Sequence, residues 1–559
     1  MAIEFILNGR QVGFDPGDEK WSLLDVLRGE FGITTAKDGC APQGQCGCCT
    51  VLVDGKARVA CVTPARRVSG REVVTLEGLD EDVANDWAEA LGAHGGSQCG
   101  FCTPGIVMRL EDRRSKLLER QDHSAQRMEG DSASEVCRSL AAHLCRCTGW
   151  QGIRDAACAV MSDPNQFVGL GASSSENLGS AESDASQRAQ LEGGVRQRVD
   201  RNAILGRGGF AADTAPKDAL IALCNDDGEW MVAETLAGAR AAAARVQGRR
   251  STLEAEPPLG VPPGDWAATL RTSWVEPGYL EVDSAWCEPG GEPSDPLANG
   301  GAFGAKLNSP LPQVARRLAD SHGRTVLAMW SREDVVRHGP KRPPVAAGMR
   351  ADGTGQLSMA AIPASFEAVL QAVRMAAPNL EVRPEELPGP DTSASMRATG
   401  WAEAFCLAMA AGADSPIGGI SGEEVTVELP TGARARVRID ADAATGGTAG
   451  VPGVIEVDVH AGDVLDEAVL GSYVIGAVHM AAGWVTAEGL AVNPDGEVQD
   501  LTIRSLGILS ASELPHVAVR AHGSGSPVAV SDAVFTATAA ALWRHHGYEP
   551  DWPLGTSVI

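Results

Sequence analysis

The sequence contains no run of 18 or more apolar residues, the length a helix needs to cross a bilayer, so no membrane span is expected. Its opening residues, MAIEFILNGRQVGF, have no basic stretch ahead of an apolar core and do not read as a secretory leader. Basic charge is scarce as well: 47 Lys and Arg stand against 73 Asp and Glu, a formal net charge of −26. Such a surface repels nucleic-acid phosphates and anionic membranes, and serves otherwise as an ordinary solvated face. No internal repeat is present. The expectation is a cytoplasmic protein that binds neither nucleic acid nor membrane.

What is there is a chain of 559 residues, too long for a single core, with 44% hydrophobic and 21% charged residues as in ordinary globular domains. Three to five domains are expected. Fourteen cysteines without an export signal point to metal or redox chemistry rather than a disulfide framework. Eight of them fall in two tight groups before residue 150.

Periodicity predicts a small β domain over residues 1–82. EFILNGRQVGF reads as a hairpin about Asn8-Gly9, SLLDVLRGEFG as a short amphipathic helix, and CTVLVDGKARVACVT as a hairpin about Asp54-Gly55. Residues 83–161 switch to helical spacing in DVANDWAEALGAHG, TPGIVMRLEDRRSKLLERQ, SEVCRSLAAHLC and GIRDAACAVM, which predicts a four-helix unit. Residues 162–197, with GASSSENLGSAESDASQ, are too polar to bury much surface and read as a flexible linker. Further on, TLAGARAAAARVQG and AVSDAVFTATAAALWRHHG read as helices, and ARVRIDADA and GVIEVDVHAGDVL as strands. The fold class expected is α+β, multidomain.

In the first cysteine group, KDGCAPQGQCGCCTVLVDGKARVACVT, Cys40, Cys46 and Cys49 lie in a Gly-rich loop and Cys61 returns on the next strand. Iron–sulfur clusters need thiolates converging on a compact core, with backbone amides close enough to donate to sulfur. A zinc site would show paired C-x2-C spacing or histidines, and neither accompanies this loop. The second group, SQCGFCTPG with LCRCTGW, supplies Cys99, Cys102, Cys145 and Cys147. Thr103-Pro104 suits a helix start, whose amides and dipole favour an anionic cluster. Taken in isolation, four cysteines there also admit zinc. Cys137, Cys158, Cys224, Cys287 and Cys406 are isolated and read as small buried hydrophobes.

With these motifs the first 160 residues resemble the iron–sulfur portion of the xanthine dehydrogenase/aldehyde oxidase family of molybdenum hydroxylases. Gln98 to Gly105 matches that family's Q-C-G-F-C-T-P-G, and Leu144 to Gly149 its L-C-R-C-T-G. The resemblance implies a plant-ferredoxin-like β-grasp domain over 1–82 and a helical-bundle domain over 83–161, each with one [2Fe–2S] cluster. It further implies that Gln98 touches a pterin and that Cys147 belongs to the cluster nearest molybdenum. One departure is the first loop, where Cys40 and Cys46 enclose five residues instead of four. Cys46 and Cys49 keep the C-x2-C spacing and are the expected ligands, with Cys48 as the competing candidate.

The resemblance continues from residue 198. It implies a hammerhead-like α/β domain over 198–290, opening on the strand-rich RQRVDRNAILGRGGFAADTAPKDALIALC, and a truncated molybdopterin-binding-like domain over 291–559. NGGAFGAK, residues Asn299 to Lys306, resembles G-G-x-F-G-x-K and places Gly301 and Phe303 at the cofactor. SASMRATGWAEA places Arg397 at a substrate-orienting arginine, and GAVHMAAGWVTAEGLAVNPDGEVQDLTIRSLGILSASELPHV resembles a C-terminal strand region. Much of the segment before the glycine loop, and several hundred residues after the arginine loop with their G-Q-G pterin loop, have no counterpart. At the family's G-x-G-E-P-P the chain reads Gly523-Ser524-Gly525-Ser526-Pro527-Val528, so Ser526 replaces the catalytic glutamate. A serine hydroxyl titrates too high to act as base unless another group activates it, and His522 is the only histidine nearby.

These features imply an electron-transfer subunit with no catalytic residue of its own. Its two clusters would carry electrons from a molybdopterin-type molybdenum cofactor on a partner subunit to FAD on another, with the C-terminal half serving assembly. A hetero-oligomer follows, such as a dimer of heterotrimers. The alternatives are a compact self-contained hydroxylase acting on an N-heterocycle such as a purine, with aldehydes and carbon monoxide behind, or a cofactor-insertion module.

Overall fold

Asn8 and Gly9 take positive φ, 49° and 75°, the conformation a two-residue hairpin demands. They turn strand β1 (Ile3–Leu7) into β2 (Arg10–Phe14), paired from Ile3 opposite Phe14 to Leu7 opposite Arg10. Asp54 and Gly55 do the same between β3 (Thr50–Val53) and β4 (Lys56–Val59). With β5 (Glu72–Val74) they form a five-stranded sheet in the order β2-β1-β5-β3-β4. The computed structural model describes residues 2–17, 20–123, 133–162, 183–244, 253–297, 299–300, 302–362, 365–443 and 453–559.

Four helices follow: α1 (Glu81–Ala93), α2 (Thr103–His123), α3 (Ala133–Ser139) and α4 (Gln151–Ser162). α1 buries Trp87, Ala88, Ala90 and Leu91 on one face, and Trp87 Nε1 donates to Glu111 on α2 at 2.8 Å. The sheet and these helices share one apolar core, so the two cysteine groups sit in a single packed body.

The expected linker is corrected over its second half. Residues 163–182 lie outside the described residues, but α5 (Asp184–Gly193) is a helix capped by Ser183. Its Arg188 is fully buried, donating to the carbonyls of Val464, Val528, Ala461 and Asp463. Composition favours solvent for such a segment, and carbonyl acceptors supplied by distant loops override it.

Among the described residues beyond 198 there are three further sheets, one of four strands and two of five. The opening expected to be strand-rich instead forms two helical turns, Arg201–Ile204 and Ala211–Thr214, before its one strand, Leu220–Cys224. The third sheet runs through Arg434–Asp440, Val454–His460 and His516–His522. Its buried Ala435, Val437, Ile455, Val457 and Val459 share one core with the helices α6 (Trp401–Ala411), α7 (Glu467–Thr486) and α8 (Ser531–His545). GAVHMAAGWVT, expected to begin a strand region, is the second half of α7. Among the described residues α7 is long and apolar enough to cross a bilayer, but 89% of its apolar window is buried inside the protein, which makes it a core helix.

Candidate iron–sulfur and cofactor site

The first cysteine group closes at the head of β3. Cys40 lies in the loop, Cys46 and Cys49 lead into the strand, and Cys61 follows β4; all four are at least 95% buried. Cys61 N donates to Cys49 Sγ at 3.4 Å and Gln45 N to Cys40 Sγ at 3.4 Å, so backbone amides do reach the sulfurs. The Cys40 sulfur touches those of Cys46 and Cys61, and Cys61 also touches Cys49. Contact with Cys40 pushes the Cys46 and Cys61 thiols up, while Cys40 itself is pulled down. Crowded thiols ionise together only beside a cation, so the group suits a metal centre. Cys48 is also buried and its sulfur touches Cys46, so the structure gathers five sulfurs here. A side chain on Gly39 would press on Cys46 Sγ, Cys48 Sγ and the Phe101 ring at 3.1–3.2 Å, which explains the glycine beside Cys40.

The second group gathers where α2 begins. Cys99 and Cys147 place their sulfurs 3.8 Å apart, Cys102 touches Cys145, and Thr148 Oγ1 lies 3.1 Å from Cys145 Sγ. All fourteen cysteines are free of disulfides, and Cys158 is half-buried while the other four isolated ones are buried. Among the described residues no three His, Cys, Asp or Glu side chains are placed to hold a single metal ion.

The two groups are neighbours. Leu144 N, one residue before Cys145, donates to the Cys46 carbonyl at 3.0 Å. A side chain on Gly105 would overlap the Gly47 carbonyl, so the glycine lets α2 abut the first loop. His143 fills the seam, its Nε2 3.1 Å from Thr50 Oγ1 and 3.2 Å from the Gly105 carbonyl. Burial, then Arg109, lowers its pKa to about 3, so it is a neutral wedge.

Against the second group lies a cavity of about 730 Å³. Its wall includes Gln98, Cys99, Cys147, Phe303 and Arg397, so the glutamine, glycine-loop and arginine candidates converge. Gln98 Nε2 donates to the Cys147 carbonyl at 2.9 Å and Ser472 Oγ at 3.0 Å, tying it to the cysteine loop and α7. Gly301 lies outside the described residues. Phe303 holds a φ of 60°, and a side chain on Gly304 would overlap the Ser395 carbonyl, so the glycine loop rests on the arginine loop. Arg397 is 10% exposed; Asp532 Oδ1 lies 3.9 Å from its Nε, and its buried Nη1 has no partner.

Ser526 is exposed and is no part of the cavity wall, whereas Pro527 and Val528 are. The Ser526 carbonyl packs on Gly462, where a side chain would overlap it. His522 is exposed and faces Asp458 at 3.6 Å on the outer sheet. Of the cavity's carboxylates, Glu192 on α5 accepts from Val530 N, Ser531 N and Ser531 Oγ at 3.1, 2.9 and 2.6 Å, Glu281 pairs with Lys306 at 2.6 Å, and Asp532 faces Arg397.

Several wall residues had no distinct signal in the sequence. Asn299 opens the glycine loop, donates to the Cys99 carbonyl at 2.8 Å and accepts from Arg198 N. Arg146, between two cysteines of the C-x-C pair, forms a buried two-pronged ion pair with Glu488. Its position between ligand candidates was the available hint; its partner lies 342 residues away.

Fold and site define an iron–sulfur oxidoreductase. Residues 75–158, which contain the second cysteine group, match the [2Fe-2S] binding domain family. The chain is 38% identical over 156 residues to the xanthine dehydrogenase iron-sulfur-binding subunit of Escherichia coli, covering 27% of this chain and 89% of that protein. It is 41% identical over 168 residues to xanthine dehydrogenase of Emericella nidulans, covering 28% of this chain but only 11% of that enzyme. The aldehyde oxidoreductase structure from Desulfovibrio desulfuricans ATCC 27774 superposes with a TM-score of 0.68 at 14% identity, covering 97% of each chain. This chain belongs to the xanthine dehydrogenase/aldehyde oxidase family of molybdenum hydroxylases.

Proposed function

We propose that this chain is the iron–sulfur electron-transfer component of a molybdenum hydroxylase. Cys40, Cys46, Cys49 and Cys61 hold one [2Fe–2S] cluster, and Cys99, Cys102, Cys145 and Cys147 the other. The observation that carries this reading is the single peptide hydrogen bond from Leu144, beside Cys145, to the Cys46 carbonyl, which joins the two groups by a short covalent and hydrogen-bonded route. A molybdenum–pterin group on a partner subunit would supply the oxidation chemistry, and the residues about Cys147 would be the ones facing it. Gln98 holds the Cys147 loop against the cavity, and α7 packs on the Cys147 side through Gly476. Electrons leave from the first cluster to FAD on a partner subunit.

The C-terminal half is a truncated relative of the molybdopterin-binding region and serves assembly. In support, Ser526 stands outside the cavity, and of the wall's carboxylates Glu192 is held by three donors while Glu281 and Asp532 each face a cation. One observation favours a second reading, in which this chain holds the molybdenum cofactor itself: Gln98, Phe303 and Arg397 share one cavity within the same chain.

Metal analysis separates the two. The first reading expects about four iron and no molybdenum on the chain purified alone, with a large molybdopterin subunit and a flavin subunit co-purifying at endogenous levels. Stoichiometric molybdenum on the lone chain contradicts it in favour of the second. A chain without iron contradicts both.

A further inference from the structure

The first cysteine loop is gripped from the C-terminal half by one buried cation. Arg332 opens the helix Arg332–His338 and is fully buried. Its Nε and Nη2 both donate to the Gly39 carbonyl, at 3.2 and 2.7 Å, and Nη2 also donates to the Leu280 carbonyl at 2.7 Å. The Gly39 oxygen belongs to the peptide bond that ends in Cys40 N, so the guanidinium lies one peptide away from a ligand candidate. The next residue, Glu333, accepts from Gln43 Nε2 at 2.7 Å. The start of this helix thus holds the loop on both sides of Cys40.

Its charge is the exception in this protein. Among the described residues every other buried lysine or arginine stands within 4.0 Å of a carboxylate, as Lys37 does with Asp213, Arg188 with Glu192 and Lys341 with Glu276. Arg332 has only carbonyl acceptors and the Tyr279 ring, whose centroid lies 5.8 Å from its guanidinium carbon, and its buried Nη1 has no hydrogen-bond partner. Arg240, whose charge also reaches the Cys61 side of the group, is taken up by both Asp25 and Asp38. A guanidinium cannot shed its proton, and burying it without a counter-charge is costly. A helix N-terminus adds to that cost, because the helix dipole disfavours a cation there. A cation kept under both penalties points to an anion that the polypeptide alone does not supply.

We propose that Arg332 is a positioning residue whose charge balances the first [2Fe–2S] cluster and raises its reduction potential, which rests on the reading that Cys40, Cys46, Cys49 and Cys61 hold that cluster. Four thiolates and two sulfides outweigh the charge of two ferric ions, so such a centre is anionic. Reduction adds one electron from the second cluster, breaks no bond and deepens the negative charge. A fixed cation in a site without water favours the reduced form, so Arg332 draws the electron toward the first cluster. At the second group the buried Arg146 is already paired with Glu488 and gives no such bias. The C-terminal half thereby tunes the electron path as well as serving assembly.

The test is an electron paramagnetic resonance redox titration of the purified chain and two variants. Arg332→Gln removes the charge and keeps a donor, whereas Arg332→Lys keeps the charge and loses the two-pronged geometry. The signal that Cys61→Ser removes reports the first cluster. In Arg332→Gln, with iron content retained, that signal is expected to move to lower potential by about ten-fold in the reduction equilibrium, or about 59 mV for one electron. The other signal is expected to stay in place, and Arg332→Lys to keep both potentials close to those of the parent chain. Loss of the first cluster from Arg332→Gln but not from Arg332→Lys supports the same role, since lysine restores the charge alone. The proposal is overturned by an unshifted signal in Arg332→Gln, by an equal shift of both signals, by Arg332→Lys falling as far as Arg332→Gln, or by loss of the first cluster from both variants. A parent chain without iron overturns the iron–sulfur reading itself, whereas a parent with both signals and an unshifted Arg332→Gln overturns this proposal alone.

Discussion

At the scale of single residues, adjacent sulfurs in the first loop make opposite predictions. Cys49 touches Cys61 across the group and leads β3, whereas Cys48 touches Cys46 from the side. Cys49→Ser is expected to lower iron from about four to about two per chain, and Cys48→Ala to leave it unchanged. Iron analysis with visible absorption checks both, and the reverse pattern would make Cys48 the ligand. Ser526 gives a negative prediction. Since it is exposed outside the cavity, Ser526→Glu is expected to create no hydroxylase activity, whichever chain carries the molybdenum. The gathering of the cysteines was legible in their local spacing, and the meeting of Gln98, Phe303 and Arg397 at one cavity in short motifs that resemble the family's. Glu192's place in the wall was not, since its hydrogen bonds run to Val530 and Ser531, 338 and 339 residues away.

Among elements, α7 and α5 show why a pattern misleads. α7 is apolar on every side because it lies between the third sheet, α8 and the Cys147 loop, so no amphipathic stripe distinguishes it from a buried strand. Gly476 is its contact with the site, since a side chain there would overlap the Cys147 carbonyl. Gly476→Val is therefore expected to displace the loop and remove the second cluster while sparing the first, read as loss of about half the iron. α5 is misleading in the other direction. Its polar residues suggest solvent, yet Arg188 and Glu192 are both fully buried as a pair that also holds four carbonyls and the start of α8. Arg188→Met is expected to cost about 3–5 kcal/mol in denaturant unfolding, because it strands Glu192 without a cation. The two hairpins, by contrast, followed directly from Asn8-Gly9 and Asp54-Gly55, whose positive φ values leave few alternatives.

Across the whole molecule, the iron–sulfur body and the C-terminal half are interlocked by Arg146–Glu488, by Gln98–Ser472 and by Trp150, whose Nε1 donates to the Leu509 carbonyl at 3.1 Å; His479 on α7 donates its Nε2 to the same carbonyl at 2.9 Å. Burial, and then Arg146, lowers the His479 pKa from 6.5 to about 4. Its neutral form is the folded one, whereas the unfolded chain takes up a proton below about pH 6.5. Stability is thus fully present above pH 6.5 and falls by up to about 1.4 kcal/mol per pH unit down to pH 4, where the folded state also protonates. His479→Gln is expected to flatten that slope in denaturation measured from pH 7 to pH 4.

The central claim, two separate [2Fe–2S] clusters on these eight cysteines, is tested most directly by an electron paramagnetic resonance redox titration of the intact purified chain. The account predicts two distinct signals of equal weight with about four iron per chain, the Cys61→Ser variant losing one and Cys99→Ser the other. A single signal, or zinc in place of iron at either group, would contradict it.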